Sequence, residues 1–412
     1  MSAVEPAVAS RRTIAFTVLV AALGYFVDIY DLILFSIVRV ASLKSLGVPA
    51  DELLNVGVRL INSQMIGMLI GGILWGILGD KKGRVSVLFG SILLYSLANI
   101  ANGFVTSVPM YAALRFVAGI GLAGELGAAV TLVSEIMSAK TRGYGTTIVA
   151  GVGICGAVVA ALVGDAFTWQ TAYFIGGALG LCLLALRLGT LESGLFHQTV
   201  ASGSVRRGDL RMLLAPAARV RKYIACILIG VPIWFAIGVL VTFSPEFAKE
   251  LAIVGKVTAS SAVLYCYVGL ALGDIASGLL SQWLRSRRKA VAVFVALNVL
   301  ACVAYASCRG MQTSTFYYAI FFLGFANGYW AVFVTMAAEQ FGTNLRATVA
   351  TTAPNFVRGS VVVITLSFRA LNQNFSLMNS ALLVGGVCIA VAALALLPLR
   401  ESFATDLNYL ET

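Results

Sequence analysis

Asp28 and Asp31 lie inside the apolar run GYFVDIYDLILF, residues 24–35. On a helix advancing about 100° per residue they are about 60° apart and share a face. Two ionised carboxylates so placed repel each other, so the pair is expected to take up and release a proton. Glu125, in GLAGELG, is a third candidate for proton coupling. Arg115, Asp274 and Arg358 complete the charges inside apolar runs. A charge at mid-bilayer costs about 2.5–3.5 kcal/mol on insertion scales, so such residues face a bundle interior or a wet cavity. Arg115 has no neutral state, so it either neutralises an acid or binds an anionic substrate. An alternative leaves Asp28 or Asp31 in a fixed, purely structural ion pair with Arg115. Asp274 and Arg358 are expected to form a structural pair of their own.

Neutral groups add to the candidate substrate site: Tyr30, Gln64, Trp234, Asn327, Tyr329, Trp330 and Asn355, together with Arg115 and Arg358. Buried amides want partners, and the aromatic residues offer ring faces, although aromatics in membrane helices more often face lipid or pack. Pro354 weakens the helical ladder beside Asn355. The single histidine, His197, falls in a polar loop, which leaves carboxylates to carry any proton coupling.

These residues need helices to position them. Only 11% of residues are charged and 59% are hydrophobic, and the mean hydropathy is +0.93. That composition belongs to an integral membrane protein. Twelve apolar segments are long enough to cross about 30 Å of hydrocarbon: 13–40, 58–79, 85–104, 110–137, 144–165, 171–190, 223–248, 258–283, 290–308, 315–340, 346–369 and 378–398. The polar start leads straight into a segment too long for a signal-peptide core, so the first helix is expected to stay as an anchor. With the N-terminus in the cytoplasm, about 20 of the 29 Lys and Arg fall on the inner side, as the positive-inside rule requires. The net charge of +11 then needs no nucleic acid partner. The seven cysteines form no CxxC pair and read as small apolar residues, with no metal site expected.

The polar interruption at 191–222 separates two halves, 1–190 and 223–412. They repeat. Glu135 precedes Arg142 by the interval that separates Glu339 from Arg346, and Glu192-Ser193 matches Glu401-Ser402. A weaker echo aligns Gly76 with Gly278. Repeats in the same order point to two pseudo-symmetric six-helix bundles related by an axis along the membrane normal.

Gly76-Ile77-Leu78-Gly79-Asp80-Lys81-Lys82-Gly83-Arg84 resembles the signature loop between helices 2 and 3 of the major facilitator superfamily, and RFVAGIG (115–121) resembles its fourth-helix pattern. The resemblance covers essentially the whole chain. It implies an all-α membrane fold of twelve helices in which helices 1, 4, 7 and 10 line a central cavity. It also implies a cytoplasmic gate built from Gly76, Asp80, Arg84, Glu135, Arg142, Glu192, Glu339, Arg346 and Glu401. The Glu-Ser pairs depart from the superfamily pattern, being followed by Gly194 and Phe403 where proline is usual. Within the superfamily, FVDIYD (26–31) and GLAGELGAAVTLVSE (121–135) resemble the bacterial metabolite:proton symporters, related to the sugar porters.

The expected function is therefore secondary transport by alternating access: proton-coupled import of a small, polar, anionic metabolite across a bacterial cytoplasmic membrane by a monomer with both termini inside. A proton-driven exporter is the alternative within transporters, and a non-transporting receptor the alternative outside them. No cofactor beyond the proton is expected. No nucleophile–base pair, phosphate loop or metal cluster supports an enzyme.

Overall fold

In the computed structural model, residues 11–82, 84–125, 142–191, 213 and 216–403 are described. They form helices α1 (Arg11–Ser45), α2 (Leu53–Lys82), α3 (Arg84–Asn102), α4 (Val108–Leu122), α5 (Arg142–Ala166), α6 (Trp169–Leu191), α7 (Ala217–Val241), α8 (Ala259–Trp283), α9 (Arg287–Ala306), α10 (Thr313–Glu339), α11 (Thr343–Leu371) and α12 (Leu377–Ala395). The order is that of the twelve apolar runs, because lipid leaves backbone N–H and C=O groups no partner except within a helix. The helix α7 begins at Ala217, inside the stretch read as the central loop.

Side chains set the ends. Ser107, Thr258, Ser286 and Ser376 each accept an N–H from the first turn of the helix they precede, capping α4, α8, α9 and α12. Gly47 takes φ +77° in the tight turn from α1 to α2, a conformation costly for other residues.

Two bundles result. In the first, α1 packs along α5 and α6, α2 along α4, and α3 against α4 and α6; in the second, α8 packs along α10 and α9, and α12 against α7 and α9. The repeat reaches backbone detail. A Cβ at Gly67 or Gly119 would strike a carbonyl across the α2–α4 contact, and one at Gly269 or Gly324 would do so across α8–α10. Small residues let these helices approach closely without a hydrophobic driving force. The bundles meet through α2 against α11 and α5 against α8.

Polarity is arranged inside out. Asp28, Asp31, Arg115, Glu125 and Arg358 are fully buried, whereas Trp283 is 80% and Leu279 67% exposed on the lipid-facing surface. Three helices, α7, α10 and α11, are interrupted near the centre among the described residues. In α7, Gly230 and Pro232 precede a π-helical turn over Ala236–Val241. The break in α10 is Asn327–Tyr329, and that in α11 is at Ser360. Interruptions of this kind are placed where transporters bind solutes.

Candidate transport site

A small cavity lies between the bundles. Tyr25 and Ile29 of α1, Trp234 of α7, Tyr267 and Asp274 of α8, Trp330 of α10 and Arg358 of α11 line it. The space open to the centre of a water-sized sphere is about 30 Å³. By that measure one water needs about 10–15 Å³, so the site holds about two waters and no ring-sized solute.

Arg358 is the charged centre of the cavity. Its guanidinium donates to Asp28 Oδ2 at 3.3 Å, an ion pair that crosses from α11 to α1 with both side chains buried. It also stands 5.9 Å from the ring centres of both Trp234 and Trp330, within cation–π range. Asp28 Oδ1 and Arg358 Nε and Nη1 have no hydrogen-bond partner. Pro354 sits one turn before Arg358 inside the first segment of α11, and Asn355 beside it donates to the Ala123 carbonyl at the end of α4, 3.0 Å away. A second link between the bundles thus uses the Ala123 carbonyl just past Leu122.

Asp274 does not pair with Arg358, contrary to the expectation from charge alone. Its Oδ1 accepts the Ala331 N–H at 3.2 Å, holding the start of the second segment of α10, where a carboxylate is favoured by the helix dipole. Helix rotation decides this: Asp274 turns toward α10, while Arg358 turns across the bundle interface to Asp28.

The two α1 acids also separate. Asp28 faces α11. Asp31 faces the inside of the first bundle, beside Asn99 and within the fields of Arg115 and Asp28, and a Cβ on Gly176 of α6 would strike its Oδ1. Sixty degrees on so crowded a helix is enough to send two side chains to different neighbours. Arg115 donates to Gln64 Oε1 and lies 5.1 Å from the Phe35 ring centre and 5.9 Å from that of Tyr173. It makes no ion pair with either aspartate, although Asp31 feels its charge. Glu125 forms a two-pronged ion pair with Arg187 of α6, at 2.5 and 3.2 Å. Gly24 makes room for it, since a Cβ there would overlap the Glu125 carboxylate.

Other candidate residues are turned to structural use. Tyr30 donates to the Ala172 carbonyl and Tyr329 to the Ile229 carbonyl, each at 2.9 Å. Asn327 bonds back to Leu323 O at 2.8 Å beside the α10 break. None of these three lines the cavity, nor does Arg115 or Gln64. This small cavity takes its lining from α1, α5, α7, α8, α10 and α11. Helices α8 and α11 line it because the site sits at the bundle interface.

At the face holding the α1–α2 turn, a contact that sequence reading missed closes the molecule. Arg39, fully buried, reaches Glu246 just beyond α7 at 2.7 Å, the Thr242 carbonyl at 3.2 Å and the Leu53 carbonyl at 3.3 Å, and lies 4.6 Å from the Phe243 ring centre. Thr242 to Ser36 (3.0 Å) and Thr365 to Asn62 (2.7 Å) add cross-bundle bonds near the same face. Arg39 was hidden at the end of an apolar run, and Arg187 was the lone basic residue in another. Those positions were the available signals.

At the opposite face, Glu339 accepts Ser402 Oγ at 2.7 Å and lies 3.6 Å from Arg287 Nε. Glu401 accepts Ser286 Oγ and the N–H groups of Arg287, Ser402 and Phe403. Burial pushes the Glu401 pKa up, but these donors outweigh it and hold the carboxyl below its usual range. Arg346 donates to Phe341 O. The gate trio thus ties α9, α10 and the tail after α12 within one bundle. Glu135 and Glu192 lie outside the described residues, as do the side chains of Asp80, Arg84 and Arg142; nothing about Gly76 beyond its place in α2 is described.

Twelve helices in two bundles around a charged cavity define a multi-pass membrane transporter with no enzymatic constellation among the described residues. The chain belongs to the Major Facilitator Superfamily, whose pattern matches residues 14–366. A Bacillus subtilis protein named as a niacin/nicotinamide transporter is 28% identical over 387 residues, spanning 90% of this chain and 94% of that one. The 3-(3-hydroxy-phenyl)propionate transporter of Escherichia coli is 27% identical over 299 residues, spanning 70% and 71%. The crystal structure of a D-xylose-proton symporter superposes with a TM-score of 0.69 over 95% of this chain and 99% of that one, at 16% identity, a likeness of fold alone.

Proposed function

We propose that the protein imports a small aromatic monocarboxylate together with a proton, with Arg358 as the carboxylate anchor and Asp28 as the coupling acid. The observation that carries this reading is the buried Asp28–Arg358 pair between two tryptophans. A guanidinium presents a planar fork that fits a carboxylate, and indole faces stack on flat rings. Niacin and 3-(3-hydroxyphenyl)propionate, the solutes for which the two relatives are named, are both of this class in their acid forms.

The exchange balances in charge. In the empty site Arg358 is neutralised by Asp28. An incoming carboxylate takes the guanidinium and releases Asp28, which would be an unpaired buried anion and therefore accepts a proton. The loaded site then carries the same net charge as the empty one, so both can cross between states without a large electrostatic penalty. Losing the Asp28–Arg358 link frees α1 from α11 and lets the bundles rock. With the N-terminus in the cytoplasm, the face closed by Arg39 is the outer one, and the protein acts as a monomer in a bacterial inner membrane.

The test is uptake of nicotinate and 3-(3-hydroxyphenyl)propionate into proteoliposomes. At least one should accumulate only under an inward proton gradient, and Asp28→Asn should abolish that dependence. Accumulation of either solute that ignores the gradient, or unchanged coupling in Asp28→Asn, overturns the reading.

A further inference from the structure

One face of α3 carries Tyr95, Ser96, Asn99 and Asn102, all fully buried inside the first bundle. The spacing i, i+1, i+4, i+7 makes a single stripe, about 10 Å long at 1.5 Å per residue. Tyr95 Oη, Ser96 Oγ and both side-chain polar atoms of Asn102 lack a protein hydrogen-bond partner, and the polar atoms of Asn99 and Asp31 have none beyond each other. Buried polar atoms are nearly always satisfied, and where protein does not do so, ordered water does.

Several comparable groups elsewhere in the chain are satisfied by protein. Tyr305 donates to Leu240 O and Tyr329 to Ile229 O, both at 2.9 Å. The sharpest contrast is Asn298 of α9, about 200 residues after Asn99 and in the repeat-related helix, which bonds Phe294 O at 3.1 Å and Ala326 O at 3.0 Å. The stripe is thus a property of one bundle and not of the repeat. Tyr95, at its inner end, lies within electrostatic reach of Glu125, Asp31, Arg187 and Asp28, and Gly180 of α6 makes room for the Ser96 hydroxyl itself, since a Cβ there would strike Ser96 Oγ. Asn102 is the last residue of α3, at the face that Arg39 closes.

We propose that this stripe is a hydrated proton path inside the first bundle, joining Asp31 to the face of the α1–α2 turn without passing through the solute cavity. Along it each transfer breaks one O–H bond and forms another; Asp31 takes the proton as a carboxylic acid, passes it to Asp28 three residues earlier on α1, and returns to a carboxylate facing Arg115. Solute and proton then reach the transporter by separate routes. This rests on the proton-coupled reading above.

Hydroxyl-radical footprinting of the wild type in lipid nanodiscs reads the water directly. Tyr95 is expected to be labelled at least tenfold faster than Tyr305 and Tyr329, which are as buried but bonded to carbonyls. Labelling of Tyr95 no faster than theirs overturns the proposal, whatever the coupling. In proteoliposomes, Asn102→Leu is expected to lower gradient-driven nicotinate or 3-(3-hydroxyphenyl)propionate uptake at least tenfold, keep exchange at equal pH within twofold, and be rescued by Asn102→Gln. Driven uptake that survives Asn102→Leu overturns the path and leaves proton coupling standing; wild-type uptake blind to the gradient overturns both.

Discussion

Glu246→Gln is the most direct test of how the molecule is held shut. Arg39 is completely buried and Glu246 is 21% exposed, with 2.7 Å between them. In the variant Arg39 keeps the Thr242 and Leu53 carbonyls and the Phe243 ring, so the loss is smaller than the roughly 3–5 kcal/mol of stranding a fully buried charge. One charge-assisted hydrogen bond is worth about 2 kcal/mol. The pair spans the two bundles, so that energy is present only while this face is closed. At 1.4 kcal/mol per factor of ten, its loss raises the population open at this face roughly thirtyfold. The assay is the rate at which a membrane-impermeant maleimide, applied at this face, labels a cysteine at Ile237, which lines the cavity, in a chain with its seven native cysteines replaced. Labelling should accelerate on the order of thirtyfold, and high salt should have little effect because Arg39 is buried. A rate within twofold of the parent would refute the latch.

Arg358→Lys should lose solute affinity at least tenfold in nicotinate or 3-(3-hydroxyphenyl)propionate binding, since an ammonium cannot replace the planar fork between Trp234 and Trp330; wild-type affinity would remove Arg358 as the anchor. Gly24→Ala should cost on the order of 3 kcal/mol by driving apart Glu125 and Arg187. A thermal melt in detergent should show this as a fall of several degrees, and Glu125→Ala in the same chain should add less than it does alone. Because Glu401 has a folded pKa below its usual value, its contribution is present above the unfolded pKa and is lost as pH falls through the folded one. Glu401→Gln should therefore melt below the wild type near neutral pH, the two converging toward pH ~3; a constant gap would place the effect in packing.

The twelve crossings were legible because each is a local property: a run of about 20 apolar residues must become a helix in lipid, whatever surrounds it. The two-bundle division was legible for a related reason, since Glu135–Arg142 and Glu339–Arg346 repeat along the chain itself. Intramembrane charges announced that a polar interior existed. Their partners were not legible. Asp28 turned to Arg358, Asp31 to the interior of its own bundle, Glu125 to Arg187 and Asp274 to a backbone N–H. At 100° per residue, an error of one position in a helix's rotation redirects a side chain to another neighbour. That rotation is set by contacts between distant segments, such as Gly24 beneath Glu125 and Gly176 beneath Asp31. The amino-acid sequence alone determined that this is a membrane transporter of two repeated helical bundles with acids inside; only the packing of those helices, set by contacts between distant segments, decided which acid meets which base.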